Sequence, residues 1–165
     1  MGILYISGME AKLRQKLITC LLDYFGENLV SAVFFGSRAR GEAKTDSDYD
    51  IFLVAEDLPK RPFDRNRYIR KALFLKFDYR ISIHAKTTEE FERGFPPLYL
   101  DLGLDGQVLY DTKNYLTNKL ARIREIIDAA GLVRVERNGY HAWEWKKQPA
   151  RGWSVTWEGF YDGSR

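Results

Sequence analysis

Between Gly36 and Asp50 the sequence gathers a Gly-Ser pair, two arginines and two aspartates, residue types with complementary chemistry. A glycine ahead of a helix start lets the backbone approach a phosphate closely and accepts the dihedrals of a sharp turn. The N–H groups of such a start, with the Ser37 hydroxyl, attract an anion. Arg38 and Arg40 add positive charge beside it. Asp48 and Asp50 stand two positions apart, and residues i and i+2 of a strand project from the same face. Their carboxylates are therefore placed to share a hard divalent cation such as Mg²⁺ or Mn²⁺. Two like charges side by side are costly unless a cation neutralises them. A cation held there would bridge the phosphates of a nucleoside triphosphate and favour in-line attack on one phosphorus.

The elements that must hold these residues can be read from periodicity. Leu29 to Phe35 is a short apolar, β-branched and aromatic run, read as a buried strand that Gly36-Ser37 ends. Residues 42–47 are polar loop. Tyr49 to Ala55 is a second strand. Ahead of both, residues 9–25 repeat apolar positions at three- and four-residue steps, predicting an amphipathic helix that Gly26 ends. Phe63 to Leu75 is predicted helical, with Arg65, Arg67, Arg70 and Lys71 off its apolar face. Phe77 to Lys86 alternates as a half-buried strand. Thr87-Thr88-Glu89-Glu90 has the form of a capping box. A short helix is expected over Leu98 to Leu104 and a small strand over Gly106 to Tyr110. The longest helix expected runs from Lys113 to Ala130, with Gly131 at its C′ position. Asn138-Gly139 between two alternating runs predicts a β-hairpin. Residues 147–165 show no period and are expected to form a tail that is loose or ordered by packing. No internal repeat is present.

Gly36-Ser37, ten intervening residues and Asp48-Tyr49-Asp50 resemble the signature of the minimal nucleotidyltransferases of the DNA polymerase β superfamily. The wider strings Gly36-Ser37-Arg38-Ala39-Arg40-Gly41 and Ser47-Asp48-Tyr49-Asp50-Ile51 are similar to that family almost residue for residue. The resemblance extends over residues 9–111. It implies a polymerase β-like α/β (α+β) fold, a small mixed sheet flanked by helices. It implies transfer of a nucleoside monophosphate from an NTP, ATP foremost, to an acceptor hydroxyl. Asp48 and Asp50 are then the catalytic, metal-holding pair; Gly36, Ser37, Arg38 and Arg40 bind the nucleotide. Standalone relatives are antitoxins that modify a helical toxin, so the resemblance also implies a protein acceptor.

The family's third carboxylate, laid on this sequence, falls on Ser82, in Ile81-Ser82-Ile83 ahead of the Thr87 helix start. A neutral serine is a poor base and a poor cation ligand. Asp78 lies on the same strand face, but roughly 13 Å away at about 3.3 Å per residue. His84, one same-face step from Ser82, is a base in the neutral range. Hence two readings stand together: a metal-dependent nucleotidyltransferase, and a degenerate nucleotide- or partner-binding module lacking the third carboxylate.

The chain has 165 residues and a formal net charge of +3, too mild a basic excess to mark nucleic acid alone. A nucleotidyltransferase domain over 1–112 and an appendage over 113–165, holding the helix, the hairpin and the aromatic tail, are expected. The tail's Trp143, Trp145, Trp153 and Trp157 are expected to pack on the domain or on a second subunit, with base stacking on RNA the weaker use. No apolar run reaches the roughly 20 residues that span a bilayer. No secretory signal is read at Met1 to Tyr5, and Cys20 is the lone cysteine, so the expected setting is cytoplasmic without disulfides.

Overall fold

The structure, a computed structural model, describes residues 9–73, 76–77, 80–163. Its centre is a four-stranded mixed sheet in the order β3-β2-β1-β4. The strands are β1 (Leu29–Phe35), β2 (Tyr49–Ala55), β3 (Ile81–Lys86) and β4 (Gln107–Asp111). β1 runs antiparallel to both β2 and β4, and β2 runs parallel to β3. The near-continuous apolar runs of β1 and β2 follow from their place: both are central, covered on both faces, so neither face has reason to be polar.

One face packs against α1 (Ala11–Phe25) and α3 (Pro62–Leu73). Leu17 and Leu21 of α1 meet Phe34, Ile51 and Leu53 of the sheet there. The expected helix end is a Gly26 at φ 55°, a conformation glycine adopts without steric penalty. The opposite face packs against α4 (Thr88–Arg93), α5 (Leu98–Asp105) and α6 (Tyr115–Ala130). Val33, Phe52 and Val54 meet Phe91, Tyr99, Leu116 and Ile123 in that second core. Phe34 packs into one core and Phe35 into the other, so the sheet is covered on both faces up to the Gly36 turn.

Local chemistry agrees with the periodicity at several points. Thr87 accepts from the Glu90 N–H while Glu90 reaches back to the Thr87 N–H, a complete capping box. Asn138 and Gly139 both carry positive φ, 53° and 78°, and join β5 (Leu132–Arg137) to β6 (Tyr140–Trp145) as a two-residue hairpin.

Three differences have physical causes. The last long helix begins at Tyr115 rather than Lys113, because Lys113 and Asn114 take positive φ. Asp111 then accepts from the N–H groups of Leu116 and Thr117, serving the helix start from outside it. The alternating strand begins at Ile81, where pairing to β2 begins; Asp78 and Tyr79 lie outside the described residues, as do Phe74 and Leu75, where the helix expected from Phe63 was to end. The tail forms a second hairpin, β7 (Ser154–Thr156) and β8 (Gly159–Tyr161), whose three-residue strands are too short for a period to show. It is seated on its own chain. The Trp157 indole N–H donates to Phe91 O and Gly94 O, and Arg122 donates to Trp157 O and Glu158 O. No helix among the described residues is long and apolar enough to cross a membrane.

Candidate active site

Phe35 ends β1 in extended geometry, and Gly36 turns the chain at φ 82° into the five-residue helix α2 (Gly36–Arg40). Gly41 closes that helix in left-handed geometry, its N–H reaching Arg38 O and Ser37 O. The polar loop then returns to β2. Arg38 holds this return: its Nε donates to Ser47 O at 2.9 Å and its guanidinium lies over the Tyr49 ring, 4.4 Å from the centroid. Ser47 fastens the loop further by accepting from the Lys44 N–H.

This return delivers the aspartates. Asp50 sits between Phe35 of β1 and Ser82 of β3 in the strand register. Gly36 also lies against it: a Cβ on Gly36 would approach Asp50 Cγ to 3.0 Å. The turn must therefore be glycine for two separate reasons, the positive φ and the carboxylate behind it. Burial raises the pKa of Asp50; His84 opposes that rise, the Asp48 charge adds to it, and Arg40 opposes it. Asp48 stands just ahead of β2. Arg80 Nε lies 2.7 Å from Asp48 Oδ1, an ion pair without hydrogen-bond alignment, and that oxygen is shut off from solvent.

The pair fits a divalent cation. Asp48 presents a desolvated oxygen with no aligned donor, and Asp50 is a half-buried carboxylate penalised further by its neighbour. A cation offsets both costs. Asp48 and Asp50 would hold it, and when bound it neutralises charge on the phosphates of a nucleotide. Among the described residues no group of three or more His, Cys, Asp or Glu side chains gathers in metal-binding geometry. The position beside Asp50, where the motif resemblance sets a third carboxylate, is Ser82. His84 stands two residues further along β3, exposed, with its ring 5.8 Å from that of Phe35.

Arg40 has a different environment from Arg38. Its Nε contacts Glu42 at 2.7 Å and its NH1 contacts Asp105 at 3.1 Å. Asp105 also takes both terminal nitrogens of Arg134, from β5. On the other side His141 of β6 lies 2.9 Å from Glu42. A chain of charges thus ties α2 to α5 and to the first C-terminal hairpin. Glu42, Asp105 and Arg134 carried no signal in the sequence, since their partners lie up to 99 residues away. Arg80 was legible only as one polar member of an alternating strand. Gly36, Ser37, Arg38, Arg40, Asp48, Asp50 and Ser82 come together at one end of β1, β2 and β3.

Comparison with known proteins identifies the family and the fold. A family model described as "Nucleotidyltransferase domain" matches residues 14–129. A Methanocaldococcus jannaschii protein named "Putative protein adenylyltransferase MJ1305" is 32% identical over 145 residues, 80% of this chain and 95% of its own length. A chain from a crystal structure of a mutant MntA–HpeT toxin–antitoxin superposes with a TM-score of 0.50 at 19% identity, covering 69% of this chain and 85% of that one. A chain from the structure of tri-AMPylated Shewanella oneidensis HEPN toxin with MNT antitoxin gives a TM-score of 0.46 at 18% identity, over 70% of this chain and 83% of that one. The former likeness shows a shared fold.

Proposed function

The chain belongs to the nucleotidyltransferase domain family, and on that premise we propose that it is a metal-dependent adenylyltransferase that moves AMP from ATP to a hydroxyl of a partner protein. The observation that carries this is the geometry of the two aspartates: Asp50 half-buried against the Gly36 turn, and Asp48 just ahead of β2 with one oxygen closed to solvent and without an aligned donor. The acceptor class rests on the name of the M. jannaschii relative, which aligns over 95% of its length.

In this reading Gly36 and Ser37 seat the triphosphate, and Asp48 and Asp50 hold Mg²⁺ or Mn²⁺. Arg38 keeps the loop against β2, and Arg40 holds the turn against α5. The acceptor oxygen attacks the α-phosphorus and forms a new P–O bond. The bond from that phosphorus to the oxygen bridging to the β-phosphate breaks, and pyrophosphate leaves with the electron pair. The hydroxyl proton passes to the His84 imidazole, one same-face step along β3 from Ser82.

A second reading has an observation in its favour. Ser82 stands directly opposite Asp50, so the fold is also compatible with a module that binds nucleotide without turning it over. One experiment separates the two. The protein is incubated with α-labelled ATP, Mg²⁺ and a lysate of its own cells. Label transfer to a protein, abolished by Asp48→Asn, is the expected result. Nucleotide binding without transfer would replace the enzyme by the binding module. Transfer that survives Asp48→Asn would sink the metal assignment.

A further inference from the structure

β3 is the outer strand of the sheet, and among the described residues no strand lies beyond it. Its hydrogen-bonding polarity follows from one contact: the Tyr49 N–H donates to Arg80 O at 2.8 Å. In a parallel ladder this turns the backbone groups of Ser82, His84 and Lys86 toward β2, and those of Ile81, Ile83 and Ala85 away from it. A contact on the far side agrees, because Ala85 O accepts from Arg65 NH1. The amides and carbonyls of Ile81 and Ile83 therefore form an edge with no backbone partner among the described residues, a template for a further strand.

That edge opens into a groove of about 1010 Å³. Its walls come from α3 and α4, and Asp48 and Ser82 line one part of it, so the groove is continuous with the candidate active site. Lys60, Arg70 and Lys86 line it too; of its two acids, Glu90 is paired with Arg65, and Asp48 is the carboxylate assigned to the cation. Apolar side chains of Ile69, Leu73 and Ile83 lie among these cations. An edge that offers main-chain hydrogen bonds, beside an uncompensated positive charge, matches an extended acidic peptide. Its chemistry differs from a stacking platform for nucleic acid, because Phe77 is the one aromatic side chain among the described residues lining it.

We infer that the outer edge of β3 seats an extended, acidic segment of the acceptor protein as an added strand, bringing a hydroxyl side chain on that segment to the Asp48–Ser82 end of the groove. This inference rests on the proposed transfer to a protein and names the class of acceptor. Main-chain pairing gives affinity without regard to sequence, and Lys60, Arg70 and Lys86 select for carboxylates. The groove's opening at Asp48 then selects which hydroxyl along the strand reacts.

The test uses the full chain with ATP analogue and Mg²⁺, and a random glutamate–tyrosine copolymer as the probe. Hydrogen exchange of the β3 amides is followed with and without the copolymer, and copolymer binding is measured by fluorescence anisotropy. At least tenfold slowing of exchange at Ile81 and Ile83 is expected, with at least tenfold weaker binding in Arg70→Glu/Lys86→Glu. Nucleotide binding of that double variant should equal the wild type's. Unchanged exchange at β3 would overturn the strand addition even if the copolymer binds. Equal binding by wild type and double variant would overturn the charge selection. Tighter binding of poly(U), with protection of the same amides lost, would make the groove a nucleic-acid site instead. Because exchange and anisotropy need no turnover, failure of AMP transfer alone would count against the proposed function and leave these outcomes readable.

Discussion

Gly36 and Asp50 occupy space that a single extra carbon would close: a Cβ on Gly36 would lie 3.0 Å from Asp50 Cγ and nearer still to Oδ2. Gly36→Ala therefore meets two penalties, strain at φ 82° and displacement of the carboxylate. The strain alone is worth about 1–3 kcal/mol, and a shift of about 1 Å in a catalytic group costs on the order of a hundredfold in rate. Lowered urea midpoint together with at least that loss of label transfer is expected. Retained activity at wild-type level would show that Asp50 tolerates displacement, contrary to the role proposed for it.

Asp105 stands between two guanidiniums and its side chain is 7% exposed. Asp105→Asn keeps the shape and leaves Arg40 and Arg134 facing each other without the charge that separates them. Removing one partner of a buried ionic group costs about 3–5 kcal/mol. Equilibrium unfolding should show a loss near the lower end of that range, because both arginines keep other contacts. The same variant should weaken nucleotide binding, since α2 loses its tie to α5.

Stability should also fall in acid through two glutamates. Arg40 holds Glu42 down from 4.5 to about 2, with His141 helping against a small burial effect. Arg65 likewise holds Glu90 at about 2, against burial and with the Thr87 N–H assisting. A depressed folded-state pKa means the unfolded chain takes the proton first as pH falls. Both contributions are thus fully present above about 4.5 and are lost as pH falls toward about 2. Thermal melts across that window should flatten in the Glu42→Gln/Glu90→Gln variant relative to wild type. An identical slope would remove these ion pairs from the account of acid stability.

The second C-terminal hairpin owes its place to Trp157. Its ring lies 5.2 Å from Phe91 and 5.7 Å from Tyr99, and its N–H is satisfied by two carbonyls of the α4 end. Trp157→Ala should cost about 2 kcal/mol, less than the roughly 3–5 typical of a fully buried tryptophan, because the ring is only half-buried. Limited proteolysis should then cut after the first hairpin. Trp153→Ala, at an exposed ring, should change neither measurement.

What was legible in the sequence was what is local. The apolar runs of β1 and β2, the Thr87 capping box, Gly131 and Asn138-Gly139 each depend on neighbours within a few positions. They appear in the structure as read. The Gly36-to-Asp50 motif is similarly local, and its return loop is short enough that Arg38 can reach Ser47. The charge chain from Arg134 through Asp105, Arg40 and Glu42 to His141 joins four elements that no window of sequence holds together. The β7–β8 hairpin was hidden because three-residue strands give too few positions to define a period. The edge polarity of β3 depends on which neighbour it lacks, a property of topology rather than of its own residues.

Ser82 lies beside Asp50 in the parallel register, so Ser82→Asp sets a third carboxylate against the existing pair. Without a cation that charge adds to the repulsion Asp50 already feels from Asp48, and the variant should melt below the wild type in chelator. With Mn²⁺ the order should reverse, because cation affinity rises with the count of carboxylate ligands. At least tenfold tighter Mn²⁺ binding is expected, about 1.4 kcal/mol of added stabilisation, read as a crossing of the two melting-temperature curves in a Mn²⁺ titration. The serine variant Ser82→Ala serves as the control and should follow wild type throughout. If Ser82→Asp melts lower at every Mn²⁺ concentration, the side chain at this position does not face the cation, and the third-carboxylate assignment to residue 82 fails. If it binds the cation tightly and label transfer also rises, the natural serine is what limits the rate, and the chain is a nucleotidyltransferase working with two carboxylates where three fit.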